Sequence, residues 1–388
     1  MKPEKHSSRQ INFFGKGEGR VCQTAFFVIS GPLIKRLLPM QFPILRYLFW
    51  IALLFSHLTQ AQGIQRFADL GDFDLENGYA IQDCRIGYRT FGKLNKERSN
   101  AILFPSWFSG TSQDLAQSGM IGGADKALDS SRYYIIAVDA IGNGVSTSPS
   151  NSKKQPGASF PRFSIRDMVQ SQYLLLTQKL KINRVEAVVG ISMGGMQTFQ
   201  WMVSHPSFMF KAIPIVGSPR LVAPDLLLWN AELQAIEAGL GCEKGEEQAM
   251  KSVAAIHSMA LTTPENMARK IKREEFGKYL SDQQKGIASR KALDWAWQLK
   301  AMIDHDIYKS QPGAESDKTE EQIAKSITTR FVLIITALQD QMVNPVPAQE
   351  LARLIQAETL ELTGDCGHLA NGCEAARVTE AVRKILGK

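Results

Sequence analysis

The sequence predicts an α/β fold: a mostly parallel β-sheet covered by helices on both faces, with a helical cap inserted late in the chain. Three observations predict it. Between residues 80 and 218, short β-rich runs alternate with helical stretches, the pattern of βαβ units. From about Pro219 to Ser326 the β-branched runs disappear, and Ala, Leu, Glu, Gln and Lys dominate with Met and Trp interspersed. An apolar run, Phe331–Thr336 (FVLIIT), then resumes the first pattern. One α/β domain interrupted by a cap accounts for this order better than two separate domains. Residues 62–218 and 327–388 are expected to form the core, and 219–326 the cap.

The elements follow from local patterns. Ile81–Phe91 alternates polar and apolar residues, as a half-exposed antiparallel edge hairpin would. Ala101–Phe104, Tyr133–Val138, Val185–Gly190 and Ala212–Val216 are short apolar runs bounded by turn residues, the mark of buried strands. Ile165–Leu180 reads as a helix with Met168, Leu175, Leu176 and Leu180 on one face. Thr359–Leu362 gives a last strand and Ala375–Leu386 a final helix.

Composition and charge exclude several classes. A chain of 388 residues that is 44% hydrophobic and 21% charged is not disordered, and five Cys are too few for a disulfide scaffold. The net charge of +7 would suggest an anionic partner, but its placement argues otherwise. Through Ala61 there are eight basic residues against Glu4 and Glu18, a net of +6, so the body is nearly neutral. There is no basic stripe with interleaved aromatics, and nucleic acid is not an expected partner.

Residues 1–61 read as an export leader. Tyr47–Phe55 (YLFWIALLF) is an apolar run of signal-peptide length, preceded by Arg36 and Arg46 and followed by Thr59-Gln60-Ala61, a small-x-Ala cleavage site. Met40 lies just upstream and is a candidate translation start. The expected location is the periplasm or outside the cell, with the membrane met only through the leader. An uncleaved anchor, or an apolar helix packed on the body, are the competing readings. Four Cys follow the leader, and Cys366 and Cys373 are close enough in sequence either to bridge or to stay as buried thiols.

The strongest chemical signal is Gly190-Ile191-Ser192-Met193-Gly194, between an apolar strand and a helix. In a G-x-S-x-G nucleophile elbow, glycines let the chain turn sharply and hold a strained serine at a helix N-terminus, which favours developing negative charge. Such a serine needs a base and the base an orienting carboxylate, in the chain order Ser, Asp or Glu, His. Asp340 follows the strand Phe331–Thr336, and His368 follows the last strand; Asp365 competes with Asp340. The other histidines fall in the leader (His6, His57), at the far end of the elbow helix (His205) or in the cap (His257, His305). An oxyanion hole needs two N–H donors: Met193 supplies one, and Phe108 or Trp107, after the strand Ala101–Phe104, the other. Asp139–Ser146 lacks the endings of phosphate loops and reads as a tight turn flanking the site. No metal-ligand spacing and no cofactor motif is present.

Gly190–Trp201 (GISMGGMQTFQW) with Ser204-His205-Pro206, the early Gly87-Tyr88-Arg89-Thr90-Phe91-Gly92 and the Gly144–Pro149 turn together resemble the homoserine O-acetyltransferase family of the α/β-hydrolase fold. The resemblance spans about Asp83 to Leu386. It implies an acyl-serine intermediate on Ser192, activated by His368 and Asp340, beneath a helical cap that often mediates dimerisation. Three segments depart from the family pattern. Ser106-Trp107-Phe108-Ser109-Gly110 stands where a His-Ala-Leu-Thr-Gly type run is usual; Leu233 takes the place of an arginine on the first cap helix; and Leu369-Ala370-Asn371 replaces Asp-Ala-Phe after the histidine. The catalytic apparatus is kept while the homoserine-recognising residues differ. Export would also separate the enzyme from cytosolic acetyl-CoA. The expectation is therefore hydrolysis of a small or medium ester, thioester or amide. Acyl-CoA-dependent O-acetyl transfer is the alternative, and a non-catalytic binding module a minor one.

Overall fold

A computed structural model of the chain describes residues 63–242, 244–310 and 319–388. The leader, with Met40, Tyr47–Phe55 and the cleavage site at Ala61, lies outside the described residues. The chain enters the sheet through β1 (Arg66–Asp74), β2 (Ala80–Phe91) and β3 (Ala101–Pro105). Helix α1 (Ser112–Gln117) and a two-stranded pair, β4 (Ile121–Gly122) and β5 (Leu128–Asp129), lead to β6 (Tyr134–Val138). Helix α2 (Ile165–Leu174), β7 (Val185–Ile191), α3 (Met193–Ser204) and β8 (Met209–Ile215) complete the first part.

Between β8 and β9 (Phe331–Ala337) the regular elements among the described residues are helical. They are α4 (Ala223–Gly239), α5 (Gly245–Leu261), α6 (Pro264–Lys270), α7 (Phe276–Ala288), α8 (Ala292–Ile303) and α9 (Glu320–Ser326), with a 3₁₀ turn at Arg273–Glu275. The chain closes with α10 (Val346–Leu354), β10 (Glu358–Leu362), a turn at Gly367–Leu369, α11 (Ala370–Cys373) and α12 (Ala375–Leu386). Among the described residues no helix is long and apolar enough to cross a membrane.

The sheet order is β1-β2-β6-β3-β7-β8-β9-β10. From β6 onward the neighbours run parallel; β1–β2 and β2–β6 are antiparallel. Successive strand residues point to opposite faces, and the core divides accordingly. Ala101 and Leu103 of β3 join one cluster with α2, α3 and α10; Ile102 and Phe104 join the other with α1 and α12. Covering both faces is what makes these strands apolar throughout. The cap residues Trp229, Ile236, Val253 and Trp295 extend the first cluster, so the cap shares a core with the α3 face.

Two details differ from the sequence reading. The edge strand beside β2 is β1, for which the sequence predicts no strand, so β2 lies one place inside that edge, and β10 forms the opposite one. β1 (RFADLGDFD) has few buried residues and breaks register around Gly71, so its apolar alternation is faint. The helix at Ile165 is capped by Ser164 and Asp167, which exchange hydrogen bonds across its first turn, but beyond Leu174 it widens into a π-turn, Leu175–Lys179.

Candidate active site

Ser192 ends β7 and begins α3. Its backbone has φ 56° and ψ −122°, a conformation that L-residues avoid and that costs on the order of 1–3 kcal/mol. The surrounding packing holds it there: Ser192 N–H donates to the Ile215 carbonyl of β8 at 2.9 Å, and its own carbonyl accepts from Met196 N–H at 3.0 Å. The glycines around it are required by close approach. A Cβ on Gly190 would lie 2.0 Å from the Gly194 carbonyl oxygen, and one on Gly194 would lie 2.6 Å from that of Pro105.

The loops after β9 and β10 bring two further groups to this serine. Ser192 Oγ is 2.9 Å from His368 Nε2, and His368 Nδ1 is 2.7 Å from Asp340 Oδ2. The other Asp340 oxygen, Oδ1, accepts from the backbone N–H groups of Met342 (2.9 Å) and Val343 (3.0 Å). An ionised carboxylate only accepts, so Nδ1 carries the proton toward Asp340 and Nε2 is left to accept from the serine hydroxyl. Both partners are buried, whereas Ser192 keeps partial access to solvent. Asp365 lies elsewhere: it pairs with Arg269 at 2.6 Å, and that guanidinium holds its carboxyl below the usual carboxylate range.

Among the described residues, the backbone N–H groups of Met193, Trp107 and Phe108 donate to no protein acceptor. Their two segments are tied together by a buried amide. Gln197 Nε2 donates to Ser106 O at 3.0 Å and to Met193 O at 3.1 Å, its Oε1 accepts from Gln172, and Trp201 Nε1 donates to Gln172 Oε1 at 2.9 Å. The Phe108 ring is anchored in the cap, 4.6 Å from Trp295 and 5.7 Å from Trp229 between centroids. Ser109 N–H donates to Gln298 of α8 at 2.8 Å, and Gln298 in turn donates to Ile141 O at 3.0 Å. The Asp139–Ser146 turn is likewise knit inward: Asp139 accepts from Ser112, Asn143 and Gln65.

The cap grips both the Asp340 loop and the His368 loop, through contacts that no sequence motif marks. Asp225, in the first turn of α4, accepts from Val222 N–H at 3.1 Å and from Asn344 N–H at 2.9 Å, joining the cap to the Asp340 loop. Burial pushes its carboxyl above the usual range, and the nearby Asp340 charge adds to this. Thr263 Oγ1 donates to Asp365 O at 2.7 Å, beside the His368 turn. The first-turn acid after Pro224 is a local helix-start signal; its long-range partner has none. Cys366 and Cys373 form a disulfide that closes the segment carrying His368. Among the described residues there is no group of three or more His, Cys, Asp or Glu that could hold a metal ion.

Comparison with known proteins fits this geometry. A family model for the alpha/beta hydrolase fold matches residues 115–372. An ethyl acetate hydrolase of Pseudomonas veronii is 38% identical over 188 residues, 48% of this chain and 53% of that protein. The chain thus spans about half the length of the curated esterase relatives it matches first. A homoserine O-acetyltransferase of Chlorobaculum parvum is 32% identical over 315 residues, 76% of this chain and 86% of that protein. The crystal structure of an acetylester hydrolase from Corynebacterium glutamicum superposes with a TM-score of 0.76 at 26% identity, covering 84% of this chain and 97% of that one. The chain belongs to the alpha/beta hydrolase fold family, as a divergent member of its homoserine O-acetyltransferase group.

Proposed function

We propose that the protein is a serine hydrolase of small or medium esters that works through an acyl-serine intermediate. The observation that carries this reading is the relay Ser192–His368–Asp340, with steps of 2.9 and 2.7 Å. Ser192 Oγ attacks the ester carbonyl carbon while its proton passes to His368 Nε2. Asp340 holds Nδ1–H and stabilises the imidazolium that forms. The tetrahedral oxyanion is met by the N–H groups of Met193, at the head of α3, and of Phe108, in the loop after β3; removing one such donor typically costs about 10²–10³ in rate. The proton on Nε2 goes to the departing alkoxide as the C–O bond breaks. Water then attacks the acyl carbonyl as it gives up a proton to Nε2, and that proton returns to Ser192 Oγ as the C–Oγ bond breaks and the acid leaves.

Esterase-named relatives and the altered cap position at Leu233 support hydrolysis over transfer. The 32% identity with a homoserine O-acetyltransferase over 86% of that protein favours a second reading, in which the same acyl-serine is resolved by an alcohol acceptor after loading from an acyl thioester. We further propose export to an oxidising compartment. The Cys366–Cys373 disulfide supports it, since such bonds are rare in reducing compartments.

A fluorophosphonate probe should label the wild-type protein and leave Ser192→Ala unlabelled; absence of labelling in folded protein refutes both readings. Turnover of p-nitrophenyl acetate without acetylation of homoserine supports hydrolysis, whereas homoserine-dependent release of CoA from acetyl-CoA reverses the order. N-terminal sequencing after cell fractionation tests export, with a mature start near Gln62 expected and an intact Met1 on cytoplasmic protein refuting it.

A further inference from the structure

The cap holds a polar cluster that the relay at Ser192 does not use. Glu232 of α4 is fully buried; Oε1 lies 3.0 Å from His257 Nδ1, and Oε2 accepts from Trp295 Nε1 at 2.9 Å. A carboxylate only accepts, so this pairing puts a proton on His257 Nδ1 and leaves Nε2 as the outward ring nitrogen. Nε2 bonds to no protein group and is not sealed from solvent. Beside it stands Trp229, 1% exposed, whose indole N–H is buried and has no hydrogen-bond partner.

These two side chains adjoin the Phe108 segment. The Trp229 and His257 rings are 6.1 Å apart, and the Phe108 ring is 5.7 Å from the first and 6.1 Å from the second. Helix α5, which carries His257, packs against the turn that carries His368. The corner therefore lies between the Phe108 segment and the turn that carries the His368 side chain hydrogen-bonded to Ser192. Burying an N–H without an acceptor is costly, and the acceptor that relieves it must come from outside the chain, as a water or as a group of a bound molecule.

The chemistry of the pair selects that partner. Indole N–H can only donate, and an imidazole whose one N–H is Nδ1–H, turned to Glu232, accepts at Nε2. A hydroxyl group answers both, accepting from Trp229 and donating to His257. A plain alkyl chain would leave the indole N–H bare. We propose that Trp229 and His257 form a subsite for a substrate hydroxyl, so that the enzyme prefers short esters bearing a hydroxyl to their unsubstituted counterparts. This rests on the reading of Ser192 as an ester-cleaving nucleophile.

The test compares matched esters: n-butyl acetate with 2-, 3- and 4-hydroxybutyl acetate, and ethyl butyrate with its 3- and 4-hydroxy forms. In the wild-type protein the best hydroxy ester should exceed its parent about tenfold or more in kcat/KM. Trp229→Phe, which keeps a ring and removes the N–H, should bring that ratio near one, and His257→Gln should lower it. A ratio near one for every wild-type pair, or a ratio that survives both substitutions, overturns the proposal. If no ester is turned over, the proposed function has failed, yet the subsite remains readable. The same pairs are then titrated calorimetrically into wild-type and Trp229→Phe protein. Tighter binding of a hydroxy ester that Trp229→Phe abolishes supports the subsite, and equal binding overturns it.

Discussion

Opening the Cys366–Cys373 disulfide is expected to cost activity as well as stability. The bridge joins residues 7 apart and encloses Gly367–His368–Leu369 and most of α11. For a loop of about 8 residues, the chain-entropy relation gives roughly 8 cal/mol/K, or about 2.5 kcal/mol at 25 °C. The same loop must hold His368 within 2.9 Å of Ser192 and 2.7 Å of Asp340, and a misplacement of about 1 Å can cost up to ~10²-fold in rate. The assay is urea unfolding together with kcat on p-nitrophenyl acetate, for wild type with and without reductant and for the double variant Cys366→Ser/Cys373→Ser. Stability should fall by about 2–2.5 kcal/mol and kcat by tenfold or more. Reductant should do nothing further to the double variant. If mass spectrometry shows both thiols reduced while kcat stays within twofold, the turn is held by Thr263 and its other contacts, and the reasoning fails.

Three further outcomes follow from the geometry. Gln197→Leu removes the donor that ties Ser106 O to Met193 O; kcat should fall by about 10–10²-fold with KM less affected, as for a displaced oxyanion donor. A proportional rise in KM with unchanged kcat would count against that role. Gly190→Ala places a methyl where 2.0 Å is available and should abolish soluble, probe-reactive protein; normal labelling would show that the elbow can relax. His305 is buried with Nε2 at 3.1 Å from Ser218 O, and burial pushes its imidazole down to about 3. The folded protein therefore binds fewer protons than the unfolded chain below pH 6.5. Its stabilising share is full above that pH and is lost as the pH falls toward 3, at roughly 1.4 kcal/mol per unit. Melting temperatures between pH 7 and 4 should fall less steeply for His305→Gln; identical slopes would refute this assignment.

Legibility in the sequence tracked the range of the interaction involved. β3, β6, β7, β8 and β9 were readable because they are buried on both faces, so their runs are almost wholly apolar. β1 was not, since an edge strand with few buried residues and a register break at Gly71 carries little pattern. Ser192 was readable because the elbow is a local steric problem whose solution needs small residues at 190 and 194. His368 was found by chain order and elimination. Its position after the strand Phe331–Thr336 favoured Asp340, but left Asp365 as a competitor. The choice depends on which carboxylate the folded loops bring to His368, and Arg269, a cap residue remote in sequence, engages the other.

Local patterns in the sequence specify the parallel sheet, the elbow at Ser192 and the chain order of the serine, the acid and the histidine. These rest on side-chain periodicity and backbone sterics within a few residues. Only the tertiary structure decided that Asp225 joins cap to acid loop, that Gln197 joins the two oxyanion segments, and that Trp229 lies beside His257 with its N–H unmet. It also decided that Cys366 meets Cys373. Each of these depends on where distant or turning segments meet, and no local pattern encodes a meeting. The contacts of the cap were therefore hidden in the sequence, while the elbow at Ser192 was not.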